Sequence, residues 1–176
     1  MKLFISYSGK DTRRVQRIAE KSREQFKAEV HWWEGSNRPG KDAWTQIFQW
    51  IDDAELVLVV ISGNVLSRGL SVGNEVGFAK AKGKLIIPVI IEKHGWIAKL
   101  VRWLGGKAGI GTDDLGCLGG LSHIRIDEKC PDAGMGKLNA ELKRIADEQQ
   151  SAETRQAILA VVALIGAGVF IARSGK

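Results

Sequence analysis

The stretch LSVGNEVGFAKAKGKLIIPVI, Leu70 to Ile90, sets a carboxylate where carbon is expected. Drawn at 3.6 residues per turn, Val72, Val76 and Ala79 form one apolar stripe, and Phe78 widens it. Glu75 falls inside that arc, between Phe78 and Ala79. A carboxylate buried without a partner is costly, so Glu75 must be paired, protonated or turned toward a cavity. With the helix read as Val72 to Lys82, Glu75 lies in its first turn. The helix dipole there favours the ionised form, while burial favours the neutral one. Other residues that catalysts draw on are dispersed. His31, His94 and His123 are far apart in the chain and read as ordinary surface or strand residues. Cys117 and Cys130 have neither metal spacing nor disulfide density, which fits a reducing cytosol and gives no metal site.

The elements that must position Glu75 follow from hydrophobic periodicity. Leu3–Ser6 and Val30–Trp33 read as short strands. LVLVVI at Leu56–Ile61 and LIIPVII at Leu85–Ile91 are continuous apolar runs, the pattern of strands covered on both faces. Pro88 inside the second run argues for a strand edge or a bulge. His123–Ile126 reads as a fifth strand. Helical spacing appears over Asp11–Phe26 (Val15, Ile18, Ala19 and Phe26, with Ser8 or Asp11 as cap), Ala43–Ile51 (Trp44, Ile47, Phe48, Ile51) and Lys137–Gln149 (Leu138, Leu142, Ile145). Glu34–Lys41, EGSNRPGK, is a loop by every turn signal, and Ser62–Gly73 is a polar, glycine-containing loop. The stretch 92–121 is long and glycine-rich, with an amphipathic piece at 96–104. Alternating buried strands and amphipathic helices predict an α/β, flavodoxin-like three-layer sandwich with a five-stranded parallel sheet of order 2-1-3-4-5. In such a sheet ligands sit beyond the carboxyl ends of the strands, where Glu75 follows the loop after the third.

A chain of 176 residues, 44% hydrophobic and 26% charged, is a globular domain of ordinary size. Its net charge of +6 comes from scattered Lys and Arg rather than a basic block, so no nucleic-acid partner is expected. MKLFISYS is too short and too polar after Ile5 for a signal peptide. Residues 157–172, AILAVVALIGAGVFIA, are apolar on every side and flanked by Arg155 and Arg173. They are read as a C-terminal hydrophobic helix and membrane anchor after a linker at 150–156, with 173–176 as tail and 1–149 as the globular domain. Lys137, Lys143, Arg144 and Arg155 on the domain side agree with the positive-inside rule. The expected location is therefore a cytoplasmic domain held to the inner membrane.

Four stretches in order carry a resemblance. FISYSGKD at Phe4–Asp11 resembles the first signature box of Toll/interleukin-1 receptor (TIR) domains, and RPGK at Arg38–Lys41 resembles the loop after their second strand. AELVLVVISGN at Ala54–Asn64 looks like their third strand, and NEVGFAKAKGKLIIPVI at Asn74–Ile90 like their next helix and strand. The resemblance covers residues 1–91 well and 95–149 loosely. It implies that Glu75 takes the place of the glutamate with which many bacterial and plant TIR domains cleave the nicotinamide–ribose bond of NAD+. NAD+ is then a substrate, and no cofactor is needed. Phe4, Ser6, Ser8, Trp33 and Arg38 would line the substrate pocket, Arg38 by pairing with a pyrophosphate. Trp44 would either offer a ring face to the substrate or fill the core with Ile47 and Ile51. Ser71 stands where family members commonly carry Trp, four residues before the glutamate. Other TIR domains would be partners through self-association. Some family members serve antiphage defence, including Thoeris systems, where the TIR protein makes a signal for an effector protein.

Two functions compete: an NAD+ nucleosidase or ADP-ribosyl cyclase, and a non-catalytic TIR–TIR interaction module working through Glu34–Lys41. Glu75 favours the first and Ser71 the second. A phosphorelay receiver shares the sheet order but needs an Asp at the end of the third strand, where this chain has ISGN. A nucleoside deoxyribosyltransferase also breaks an N-glycosidic bond with a Glu, but the first box matches the TIR pattern better.

Overall fold

The computed structural model describes residues 1–66, 70–92, 118 and 120–173. Five strands, β1 (Lys2–Ser6), β2 (Glu29–His31), β3 (Leu56–Ile61), β4 (Leu85–Glu92) and β5 (Ile124–Asp127), form one sheet of order β2-β1-β3-β4-β5. Every neighbouring pair is parallel, with Ser6 opposite Val59 and Val59 opposite Pro88. The helices are α1 (Thr12–Phe26), α2 (Trp33–Ser36), α3 (Ala43–Asp53), α4 (Gly63–Leu66), α5 (Leu70–Ala81) and α6 (Pro131–Arg173), with a 3-10 turn at Gly9–Asp11. The expected α/β sheet of order 2-1-3-4-5 is what the chain adopts. Trp33 opens a helical turn instead of ending β2.

Both faces of the sheet are covered, which is why its strands carry so little polarity. On one face Phe4, Val57, Val59, Ile61, Ile86 and Ile90 pack with Ile51 of α3 and Val72, Val76 and Ala79 of α5. Residues of the opposite parity, including Leu3, Ile5, Leu56, Leu58 and Val60, are buried too, as are Val15, Ile18 and Ala19 of α1. Ser22, also buried on α1, returns its hydroxyl to Ile18 O at 2.8 Å. β5 pairs with β4 only from Val89 onward, so β4 is a sheet edge on that side at Pro88. A strand tolerates a missing N–H there. Gly134, in the first turn of α6, lies so close to β5 that a Cβ would stand 2.6 Å from the Arg125 carbonyl.

Residues 1–139 form one compact unit and 140–176 a second. In the second, Arg144 bridges Glu141 and Glu148 along the exposed side of the helix. The structure corrects the C-terminal reading. There is no separate hydrophobic helix over 157–172, because α6 runs unbroken from Pro131 to Arg173 and residues 150–156 are part of it. Among the described residues no helix is long and apolar enough to cross a membrane. The physical reason is length: 16 residues rise about 24 Å, short of the roughly 30 Å of bilayer hydrocarbon. The expected anchor, and with it the placement on the inner membrane, is overturned. Gly69, His94, the 96–104 piece and Cys117 lie outside the described residues.

Candidate active site

α5 begins at Leu70, two residues before the sequence pattern suggested, so Glu75 sits in the second turn. The pull of the helix dipole falls off within the first turn, and burial therefore decides the outcome. Glu75 is 7% exposed, and desolvation raises its carboxyl pKa to about 7 from the ordinary 4.5. Ser6, fully buried at the carboxyl end of β1, is the neighbour whose hydroxyl offsets part of that rise. The Ser6 Oγ nonetheless meets no partner at full hydrogen-bond geometry, so the two groups are adjacent without being aligned. No cation is among the causes of the shift. The site is thus a carboxyl poised to change charge at neutral pH, set beside a buried hydroxyl at the strand ends.

A profile of the TIR domain family matches residues 3–111. This chain belongs to the TIR domain family. Among solved structures, the TIR domains of the activated Roq1 resistosome directly recognizing the pathogen effector XopQ align with a TM-score of 0.59 at 15% identity. That alignment covers 80% of this chain and 98% of the other. A prokaryotic SEFIR domain aligns with a TM-score of 0.54 at 18% identity, over 80% of this chain and 91% of the other. At such identities the likeness is one of fold. No curated protein sequence matches the chain.

The other expected site residues of this TIR domain lie on β1, on the segments after β1 and β2, on α3 and on α5. Phe4 is 2% exposed and belongs to the core, its ring 6.5 Å from that of Trp50. Trp33 is half-buried and packs on Trp50 too, at 6.3 Å, while His31 stacks on the same indole. Ser8 precedes the 3-10 turn, and its carbonyl accepts from Asp11 N–H at 2.7 Å. Arg38 and Ser71 are exposed. Trp44 is not a core residue: it is 39% exposed, with its ring 5.5 Å from that of Phe48. Among the described residues no group of three His, Cys, Asp or Glu side chains is arranged to hold a metal.

Two residues with larger parts were missed by sequence reasoning. Asp11, a candidate helix cap, makes no cap bond; it turns inward and is 1% exposed. Its carboxylate accepts from Ser62 Oγ, from Asn64 Nδ2 at 2.9 Å and from Arg14, whose guanidinium also binds Glu128. The rims after β1, β3 and β5 are thereby tied together just ahead of α5. The signal was available: a buried carboxylate needs several donors, and SGN follows β3. Gln46, 6% exposed, holds the loop after β2. Its amide oxygen accepts from Arg38 N–H at 2.8 Å, and its nitrogen faces the carbonyls of Arg38, Lys41 and Asp42 at 3.3, 3.2 and 3.4 Å. A Pro-Gly loop whose backbone groups lack ladder partners implies such a residue nearby. Thr12 Oγ1 adds a bond to Glu34 at 2.9 Å from the other side.

A cleft of about 980 Å3 lies between α1 and the junction of β5 with α6 and is not lined by Glu75. Its charges are mixed, and its Asp11 and Glu128 are already bound by Arg14.

Proposed function

We propose that this TIR domain is an NAD+ nucleosidase that cleaves the nicotinamide–ribose bond, with Glu75 as its catalytic carboxylate. The observation that carries the reading is a buried carboxyl titrating near pH 7 beside Ser6 at the carboxyl end of the sheet. A strongly perturbed carboxyl at that position is what acid–base and charge-stabilising chemistry requires.

The chemistry balances with this residue alone. The bond from ribose C1′ to nicotinamide nitrogen breaks, and its electron pair stays on the nitrogen, so nicotinamide leaves neutral. Positive charge passes to the ribose as an oxocarbenium ion, which the Glu75 carboxylate faces. Water adds at C1′ and loses a proton, giving ADP-ribose. If a nitrogen of the adenine adds in its place, the product is cyclic. The surrounding apolar side chains keep the local dielectric low and strengthen the carboxylate's hold on the cation. Family membership supports a role in immune signalling, in which the product or the loss of NAD+ is the message. Self-association with further TIR domains and a downstream effector protein belong to the same reading.

The experiment is to incubate the full chain with NAD+ at high protein concentration, with and without a crowding agent, and to identify products by mass. Nicotinamide together with ADP-ribose or its cyclic form is the expected result. Intact NAD+ under every condition would overturn the proposal.

A second reading has its own observation. The loop of Arg38 to Lys41 is exposed, yet fastened from within by Gln46, as a preformed docking surface would be. A non-catalytic TIR interaction module would use that loop and leave NAD+ untouched.

A further inference from the structure

The first helix and the turn before it read KDTRRVQRIAEK over Lys10–Lys21, with cations recurring about once per turn. Arg13, Arg17 and Lys21 stand at i, i+4 and i+8, which sets them in one line along α1. Like charges at that spacing repel each other. Among the described residues none of the three, nor Lys10 before them, makes an ion pair. All four are exposed, and all four line the cleft of about 980 Å3 between α1 and the junction of β5 with α6. That volume admits a drug-sized molecule. The floor of the cleft is apolar and comes from four elements: Ile18 of α1, Ile91 of β4, Ile126 of β5 and Met135 of α6.

The acidic side chains of the cleft are largely committed. Asp11 and Glu128 are bound by Arg14. Glu20 accepts from the Gln16 amide at 2.8 Å. Asp132 lies in the first turn of α6, where the helix dipole favours a carboxylate. Glu24 follows Lys21, toward the end of α1 away from Arg13. The unpaired charge at the start of α1 is therefore positive, over an apolar floor.

Arg14 marks where an acid group binds. Its two partners are unequal: the Asp11 side chain is fully buried, while that of Glu128 is 40% exposed. An ion pair that open to water is worth little and is readily exchanged. We propose that the cleft binds an amphiphilic anion. Its apolar body lies on Ile18, Ile91, Ile126 and Met135, and its acid group takes the place of Glu128 on Arg14, flanked by Arg13 and Arg17. Glu128 is then a built-in competitor for the site, and Asp11 keeps Arg14 in position whether or not the ligand is present. The site is separate from Glu75 and does not depend on the nucleosidase reading.

The test titrates the full chain with four probes below their micelle concentrations: octanoate, octyl phosphate, propionate and octylamine. Calorimetry gives the affinities, and amide shifts at Ile126 and Met135 locate the binding. Octanoate and octyl phosphate should bind; whichever binds tighter shows whether the natural head group is a carboxylate or a phosphate. Propionate, which lacks the apolar body, and octylamine, which has the wrong charge, should each bind at least about tenfold more weakly. Replacing both exposed arginines, Arg13→Gln with Arg17→Gln, should weaken octanoate about tenfold, and neither change removes a partner from the folded chain. Glu128→Gln should tighten octanoate about threefold, because the competitor is gone. Propionate binding as well as octanoate, or octylamine doing so, would overturn the proposal. So would a Glu128→Gln protein with unchanged or weaker affinity. Amide shifts at the cleft that follow protein concentration and not octanoate would overturn it too, since a second copy of the chain would then be the occupant.

Discussion

Glu75→Gln exchanges a buried carboxyl for an amide of nearly the same shape, and its effect on stability follows from one ionisation. In the folded chain the carboxyl titrates near pH 7, and in the unfolded chain near the ordinary 4.5. Below pH 4.5 both states carry the proton and folding is unaffected. Between the two values the unfolded chain has released its proton while the folded chain keeps it, so wild-type stability falls as pH rises through this window. Above pH 7 both states are ionised and the loss is complete. At about 1.4 kcal/mol per pH unit, the loss amounts to about 3 kcal/mol. Glutamine does not titrate. Urea unfolding of both proteins between pH 4 and 8.5 should therefore show Glu75→Gln gaining on wild type by about 3 kcal/mol, with a plateau above pH 7. In a chain of this size that is a gain in Tm of roughly 6–12 °C. Every other titrating group is common to both proteins and cancels in the difference. A gap between them that does not change with pH would refute the claim that Glu75 is buried and uncompensated.

Three more predictions follow from the same geometry. NAD+ cleavage should rise with pH through about 7 and then level, because the ionised carboxylate is the working form; nicotinamide release measured from pH 5.5 to 8.5 checks this, and a flat profile contradicts it. Asp11→Ala should destabilise the domain by about 3 kcal/mol, since it removes the buried carboxylate that Ser62, Asn64 and Arg14 all donate to; a loss under 1 kcal/mol in urea unfolding would show the network to be dispensable. Gln46→Leu should speed amide exchange at Arg38 at least tenfold, on the order expected for loss of a buried hydrogen bond, and unchanged exchange would mean that the loop is held by something else.

Much of this architecture is legible in the chain because the physics is local. LVLVVI and LIIPVII can only be strands covered on both sides, and the helices between them show their periodicity plainly. Errors arise where one residue has two local uses and tertiary structure chooses. Asp11 has the chemistry of a cap but spends its carboxylate inward on Ser62 and Asn64. Trp44 shares helical spacing with Ile47 and Ile51, yet it is left 39% exposed with its ring beside that of Phe48. The start of α5 moved by two residues, which is enough to take Glu75 out of reach of the helix dipole and hand its pKa to burial. Residues 157–172 look like an anchor by composition, but they continue a helix already under way and are too short to span hydrocarbon. The place of Phe4 and Trp33 in the site rests on likeness alone, since what the structure shows of them is their packing against Trp50.

The measurement that bears most directly on Glu75 as a catalytic carboxylate is nicotinamide release from NAD+ at pH 8 by wild type and Glu75→Gln at equal, high protein concentration. At that pH the wild-type carboxyl is ionised. Release by wild type, cut at least ~100-fold in a Glu75→Gln protein that remains folded, is the predicted result. Equal rates in the two proteins would remove Glu75 from the chemistry, and no release from wild type would leave the domain as a docking module.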